Sequence, residues 1–188
     1  MVIKVMDKCQ IYNRRCVDTI LNEQKLLSEL MHPFLGNLRY SFQDTEKLYI
    51  VTDYLEGGDL GYYMHVKKKK FTENQAKFII ANIIIALEFV HGNGVIHRDV
   101  RPENVVFNEQ GYLSLIDFGL ARVFVKNNSA DTSGTPCYMA PEILLRQNYS
   151  YTSDFFGLGV ILHEIMTRKK PYRGPDRVSY KEQVLEKQ

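Results

Sequence analysis

The stretch HRDVRPENVVF, from His97 to Phe107, decides how the rest of the sequence is interpreted. It places Asp99 and Asn104 five positions apart, with Pro102 between them. Proline disfavours a helix because it fixes φ and has no N–H to donate. The VVF run that follows is β-branched and aromatic, which predicts a short strand. Asp99 and Asn104 are therefore predicted to lie on a rigid loop leading into a strand, an unusual place for charge unless something binds there.

Length and composition are typical of an ordinary soluble globular protein. The 188 residues are 45% hydrophobic and 24% charged, with a net charge of +2, enough for a sizeable core. This charge gives no reason to expect nucleic-acid binding. The three cysteines (Cys9, Cys16, Cys137) form no CxxC pair and leave one over in any disulfide scheme. With no signal peptide visible, we expect an intracellular protein, cytoplasmic with the nucleus as an alternative.

Hydrophobic periodicity predicts strands and helices along the whole chain. The most apolar run, FIIANIIIALEFV at 78–90, has 13 residues, whereas a membrane span needs about 20. It is predicted to be a buried core helix, and no transmembrane segment is expected. Residues 126–133 are polar and predict a mobile loop, and the tail after Pro171 is polar. The pattern predicts strands at 1–6, 38–42, 48–55, 105–107 and 112–116, and helices at 18–31, 72–92 and 153–167.

Five motifs stand in a diagnostic order. They are VIK at 2–4, Glu23 in a predicted helix, HRDVRPEN, DFG at 117–119 and APE at 140–142. The set resembles the signature of eukaryotic protein kinases over essentially the whole chain. The resemblance implies a two-lobed α+β fold within one partial kinase domain, 1–188. Residues 1–54 would form an N-lobe remnant without its first two strands, and 55–188 a C-lobe portion without its last helices.

The front of the chain departs from the kinase pattern. Kinases carry a glycine-rich loop on two strands before the lysine strand, and only three residues precede Lys4. The missing strands would leave an unpaired sheet edge. A kinase-like scaffold or binding module without efficient transfer is therefore the alternative reading. Against it, Lys4, Asp99, Asn104 and Asp117 are all present.

The resemblance implies ATP and Mg²⁺ as cofactors. Asp117 and Asn104 would hold the metal, which prefers hard oxygen ligands. Asp99 would orient the acceptor hydroxyl and accept its proton, and Arg101 would contact the transferred phosphate. Arginine stands at 101 where Ser/Thr kinases usually carry lysine, so we expect altered or reduced catalysis rather than none.

The nucleotide site is assigned from the same resemblance. Lys4 would contact the α- and β-phosphates and be held by Glu23. Thr52 would be the gatekeeper, and the hinge Asp53, Tyr54 and Leu55 would meet adenine through its backbone.

The acceptor class is inferred from two motifs. RPEN and GTPCYMAPE are similar to the Ser/Thr versions, with Thr135 expected to hydrogen-bond Asp99. A tyrosine kinase is less favoured, and a small-molecule kinase is disfavoured by the peptide-groove motif. The run at 32–60 resembles the AGC group, with the YANK branch as a candidate within it. Asp59 and Glu103 occupy positions that read substrate arginines in basic-directed AGC kinases, while a ribose contact or a helix cap is the alternative for Asp59.

Arg98, beside the catalytic Asp, marks kinases activated by an anion on the activation loop. Two sources of that anion are open. Asp131 would supply a permanent, weaker charge, or one of Ser129, Thr132 and Ser133 would be phosphorylated.

Two internal features are also implied. Phe156 would fill the volume of a tryptophan that the family usually has, at some cost in packing. A regulatory spine anchored by Asp154 would consist of Leu27, Leu38, His97 and Phe118.

Overall fold

The computed structural model describes residues 1–174 and 176–186. It has a sheet-rich part at the N-terminal end followed by a mainly helical part, which confirms the predicted α+β class. Short 3₁₀ turns lie at Pro102–Asn104 and Pro136–Tyr138, and a π-helical turn at Tyr62–Val66. The strands are β1 (Val2–Asp7), β2 (Leu38–Gln43), β3 (Lys47–Thr52), β4 (Val95–Ile96), β5 (Val105–Phe107), β6 (Leu113–Leu115) and β7 (Arg122–Val123). The helices are α1 (Lys8–Asn13), α2 (Val17–Glu29), α3 (Glu73–Gly92), α4 (Pro141–Leu144), α5 (Thr152–Thr167) and α6 (Arg177–Glu186).

The first three strands form one antiparallel sheet in the order β1-β3-β2. The register pairs Lys4 of β1 with Ile50 of β3. Strand β1 lies at the sheet edge, where Val2, Ile3 and Val5 are 46–56% exposed. The domain boundary at residue 54 stays a prediction.

Helix α2 lies where the apolar spacing predicted it and buries Glu23, Leu26 and Leu27. The preceding short helix α1 was not predicted. It begins because the Asp7 carboxylate caps it by accepting a hydrogen bond from Gln10 N.

Helix α3 is the central helix of the large part. Thr72 and Gln75 form the predicted capping box at its start. By length and composition alone, α3 is the one described helix that could cross a membrane. Its inner face, however, packs in the core against α5 and β6, with residues such as Ile79, Leu87 and Val90 at most 2% exposed. Those contacts are typical of a core helix.

The end of the described chain differs from the expectation. The tail after Pro171, polar in composition, contains α6, which buries Tyr180 and Val184 completely. These two apolar residues, four apart, are the signal that the overall polarity concealed. Phe156 at the expected tryptophan position is half-buried, and its ring stacks on Tyr172 with centroids 6.0 Å apart.

Residues 126–133 contain neither helix nor strand, as predicted, but they are tied down. Asn128 is buried and its amide donates to the carbonyls of Val125 and Tyr149. Its own N–H donates to Asn148 Oδ1 at 2.8 Å. The segment predicted to be mobile is thus held at its centre.

Candidate active site

A cleft of about 530 Å³ opens between the three-stranded sheet and the helical part. Its lining brings together residues that are far apart in sequence. They include Lys4, Glu23, Thr52, the hinge residues 53–55, and Asp117. Val2 and Val106 add apolar surface, so the cleft combines an apolar wall with a few charged groups, which is typical of a ligand site.

Lys4 and Glu23 form a bidentate pair inside this cleft. Lys4 Nζ lies 2.7 Å and 2.9 Å from the two Glu23 carboxylate oxygens. The Glu23 side chain is 4% exposed and that of Lys4 46%. A buried carboxylate needs such a partner because an uncompensated buried charge is strongly destabilising. Since Lys4 belongs to β1 and Glu23 to α2, the pair also joins the sheet to the helix, as expected.

The loop between β4 and β5 carries Asp99 and Asn104. The Asp99 carboxylate accepts hydrogen bonds from Asn104 Nδ2 at 2.8 Å and from Thr135 Oγ1 at 2.5 Å. The predicted contact between Thr135 and Asp99 is therefore present. Asp99 is 9% exposed. Two donors on a nearly buried carboxylate fix its orientation.

Asp154 at the start of α5 sets the backbone just before Asp99. It is 1% exposed and accepts the backbone N–H groups of His97 at 2.9 Å and Arg98 at 2.7 Å. Arg98 has φ of 67°, a left-handed conformation that costs energy for a residue with a Cβ. The two hydrogen bonds from Asp154 hold this turn in place.

His97 and Phe118, two members of the expected spine, pack against each other. The His97 ring lies 5.1 Å from that of Phe118, centroid to centroid, and both residues are at most 1% exposed. Burial lowers the pKa of His97 despite the nearby carboxylates of Asp154 and Asp99. The imidazole is therefore neutral at physiological pH.

Arg101 contacts two groups of the site. Its Nε donates to Glu103 at 2.9 Å and its Nη1 to Thr135 Oγ1 at 3.0 Å. Burial lowers the pKa of Arg101, but the hydrogen bond and charge of Glu103 outweigh burial and raise it. Arg101 is thus a fixed cation that is linked to Asp99 through the hydroxyl of Thr135.

Asp117 and Asn104 supply oxygen atoms suited to a hard cation. Asp117 is exposed toward the cleft on the loop after β6, at φ of 65°. Asn104 donates through its amide nitrogen to Asp99, and its backbone oxygen accepts Ile116 N. Its side-chain oxygen receives no hydrogen bond within the described chain. Mg²⁺ commonly takes only one or two protein ligands and completes its shell with phosphate and water, so this donor set fits. The described residues contain no group of three or more His, Cys, Asp or Glu placed to hold a metal.

The hinge presents its backbone. The Asp53 carboxylate is engaged by Arg39 Nε at 2.5 Å and Asn37 Nδ2 at 3.2 Å, so that side chain is not available to a ligand. The N–H groups of Tyr54 and Leu55 have no backbone partner in the described structure. This is the arrangement expected of a segment that meets a ligand through its main chain.

Asp59 takes the alternative role considered for it. Its Oδ1 accepts Tyr62 N at 2.7 Å, which caps the π-helical turn. Asp59 is not among the residues that line the cleft. Its contribution to nucleotide binding stays a prediction.

Arg98 and Asp131 form an ion pair, which is the contact expected if Asp131 supplies the anion on the activation loop. Arg98 Nη1 lies 2.7 Å from Asp131 Oδ2, and the Arg98 side chain is 1% exposed. The same guanidinium donates to Leu120 O and to Tyr149 OH. Burial would raise the pKa of Asp131, but hydrogen bonds from Ser133 and Arg98 lower it to about 2. Ser133 Oγ donates to Asp131 rather than to Arg98, and among the described residues neither Ser129 nor Thr132 is hydrogen-bonded to Arg98.

The sequence did not reveal Glu164 as part of this region. It is 5% exposed, and its two oxygens lie 3.0 Å from Tyr138 OH and 2.9 Å from His65 Nε2. Burial raises the pKa of the Tyr138 hydroxyl far above its usual value, and the nearby negative charge of Glu164 is the second cause of this increase. A glutamate inside the apolar run VILHEIM was the available signal, because fully buried glutamates are rare unless paired.

Comparison with known proteins gives a consistent result. A family model described as protein kinase domain matches residues 1–188. A RAC family serine/threonine-protein kinase homolog of Dictyostelium discoideum is 38% identical over 98% of this chain and 42% of the relative. Human serine/threonine-protein kinase Sgk1 is 36% identical over 98% of this chain and 43% of its own length. Human ribosomal protein S6 kinase alpha-1 is 38% identical over 93% of the chain and 24% of its own length. The chain thus spans less than half the length of these relatives.

Proposed function

The chain belongs to the protein kinase family, among relatives of the AGC-like serine/threonine type, and on that premise we propose that it transfers the γ-phosphate of ATP to serine or threonine hydroxyls of proteins. The observation that carries the proposal is the arrangement around one cleft. The Lys4–Glu23 pair and Asp117 line it, and Asn104, bonded to Asp99, adjoins Asp117 through the contact with Ile116. The YANK branch stays a prediction.

Asp99 is the group that meets the acceptor hydroxyl. Both of its oxygens already accept a hydrogen bond, so its carboxylate is held in one orientation with lone pairs to spare. It would align the hydroxyl and take its proton as the bond to phosphorus forms. Phosphoryl transfer needs little covalent chemistry from the protein, so this positioning accounts for much of the rate.

Lys4 and Arg101 stabilise negative charge on the phosphates. Lys4 is held by Glu23 and lies in the cleft, where its ammonium would contact the α- and β-phosphates. Arg101 reaches the same reaction centre through Thr135. Asp117 and Asn104 would hold Mg²⁺, whose charge would offset that of the phosphates.

The hinge completes the nucleotide site. Because the Asp53 carboxylate is engaged elsewhere, adenine would be recognised by the main chain of Asp53, Tyr54 and Leu55. Thr52 and Val106 would border the ring.

We also propose an intracellular location, cytoplasmic or nuclear, supported by three cysteines that are all free thiols. The expected partner is a protein with a serine or threonine acceptor, not a nucleic acid.

Three peptides that differ only in a Ser, Thr or Tyr acceptor test the proposal. Each is incubated with the chain and radiolabelled ATP, with and without EDTA, beside the Lys4→Met variant. The proposal requires magnesium-dependent label in the Ser and Thr peptides that is strongly reduced in the variant.

Two other results have definite meanings. ATP binding without label in any peptide would favour a kinase-like binding module. Label in the Tyr peptide alone would overturn the assignment of the acceptor.

A further inference from the structure

Two basic segments that are far apart in sequence meet on one surface. Residues 67–70 are four consecutive lysines, and residues 168–170 are Arg-Lys-Lys at the end of α5. Lys69 and Arg168 line the same small cavity of about 30 Å³. All of these side chains are exposed except that of Lys170, which is half-buried. We call residues 67–70 and 168–170 the basic face.

The basic face has no counter-ion of its own. Across residues 1–174 and 176–186, none of its seven cations takes part in an ion pair. The carboxylates that border it are bonded to other groups. They are Glu73 with Lys77, Glu103 with Arg101, and Glu164 with His65.

The charge of the molecule is therefore unevenly distributed. The whole chain carries +2, so seven cations on this face leave the rest of the chain at −5. Neighbouring like charges repel within the Debye length of about 8 Å at physiological salt. Aromatic rings order the lysines without neutralising them, since Lys67 lies over Tyr62 and Lys69 over Tyr63, each 5.6 Å from the ring centre.

The basic face lies beside the reaction centre. Lys170 Nζ lies 4.8 Å from the ring centre of Tyr138. Tyr138 ends the short turn that begins directly after Thr135, and Thr135 bonds Asp99. Lys170 is thus linked to Asp99 through Tyr138 and Thr135, which places this end of the face on the side of the site where the acceptor segment would bind.

The acidic groups nearby are poorly placed to select a basic substrate. Glu103 is bonded to Arg101 at 2.9 Å, and its other oxygen lies 3.8 Å from His65. Asp59 accepts Tyr62 N. A substrate arginine would have to displace these partners, whereas an anion meets unpaired cations.

We infer that the basic face binds an acidic stretch of the protein substrate, rich in Asp, Glu or phosphorylated residues. The inference rests on the proposed function and extends it to the substrate class. The acceptor serine or threonine would lie at Asp99 while the flanking acidic residues contact the lysines.

Fluorescence anisotropy with two labelled peptides tests the inference independently of catalysis. Both carry the same Ser acceptor, one with four flanking Glu residues and the other with four Gln. The Lys67→Gln/Lys68→Gln/Lys70→Gln variant removes charge from the face. A control of equal charge carries Lys25→Gln/Lys47→Gln/Lys126→Gln, all exposed and outside it.

The acidic peptide should bind the unmodified chain about tenfold more tightly than the neutral one at low salt, with the difference shrinking as salt rises. The face variant should lose most of that preference, and the control should keep it. If transfer occurs, the same pattern should appear in KM rather than in kcat.

Equal affinity for the two peptides, or equal loss in face variant and control, would overturn the inference. So would binding of the face to phosphatidylserine vesicles with no peptide preference, which would identify a membrane surface instead. Peptide preference without phosphate transfer would uphold the inference about the face and count against the proposed activity.

Discussion

Replacing Asp131 with asparagine should destabilise the chain measurably. The substitution keeps the shape of the side chain but removes the charge that lies 2.7 Å from the buried Arg98 guanidinium. Arg98 Nη2 is already buried and has no hydrogen-bond partner among the residues that the structure describes, so the substitution leaves a poorly compensated cation. Arg122, 3.9 Å from Asp131, would add to the uncompensated positive charge.

The magnitude follows from the pKa of Asp131. Its fall from 3.8 to about 2 corresponds to at most about 2 kcal/mol. The Asp131 side chain is 38% exposed, and solvent screening reduces this to about 1 kcal/mol. For a chain of this size that is a decrease in Tm of about 2–4 °C.

Urea unfolding of the two proteins, with Glu109→Gln as an exposed control, measures the difference. Because the folded pKa is depressed, the Asp131 contribution is fully present above pH 3.8 and is lost as pH falls toward about 2. The gap between unmodified chain and variant should therefore be constant near neutrality and shrink on acidification. Identical unfolding midpoints at pH 7 would refute the reasoning.

The same variant separates the two sources of the anion. If Asp131 is the source, Asp131→Asn lowers phosphate transfer, while the triple variant Ser129→Ala/Thr132→Ala/Ser133→Ala remains active. The opposite pattern would assign the anion to phosphorylation.

Three further substitutions have defined outcomes. Lys4→Met removes the ammonium held by Glu23 and should weaken ATP binding, as measured by calorimetry. Unchanged ATP affinity would show that Lys4 does not contact the nucleotide. Thr135→Val removes the hydroxyl that links Asp99 to Arg101. It should lower kcat about tenfold with little effect on ATP affinity, which steady-state kinetics would detect. Asp154→Asn puts an amide where a carboxylate accepts two buried N–H groups. It should lower the free energy of unfolding in urea by about 2–3 kcal/mol. A smaller decrease than that caused by Asp131→Asn would contradict the role assigned to Asp154.

Local rules and motif order predicted much of the fold. The capping residues Thr72 and Gln75 gave the start of α3, and the VVF run gave β5. Helix α6 was missed because most of its residues are polar and only Tyr180 and Val184 are buried. Whether a polar segment packs against a core depends on tertiary contacts that periodicity in a short helix does not reveal.

The candidate site was likewise predicted only in part, because motifs identify residues but not their tertiary contacts. The sequence assigned Asp99, Asn104 and Asp117 from their motifs, and the structure brings their elements together. The sequence could not show that Glu164 pairs with His65, because that contact joins segments 99 residues apart. It also could not show that Glu103 pairs with Arg101, two residues before it, because that contact depends on the conformation of the turn. Nor does the sequence show that residues 67–70 lie beside residues 168–170, a proximity that only the tertiary fold creates.

The most direct test of the central claim compares Asp99→Asn with Asp117→Asn, measuring Mg·ATP affinity and phosphate transfer for each. The account predicts that Asp99→Asn binds Mg·ATP as the unmodified chain does but fails to transfer phosphate, because Asp99 acts on the acceptor. Asp117→Asn should lose both transfer and the magnesium-dependent part of ATP affinity. Transfer that persists in either variant would contradict the account.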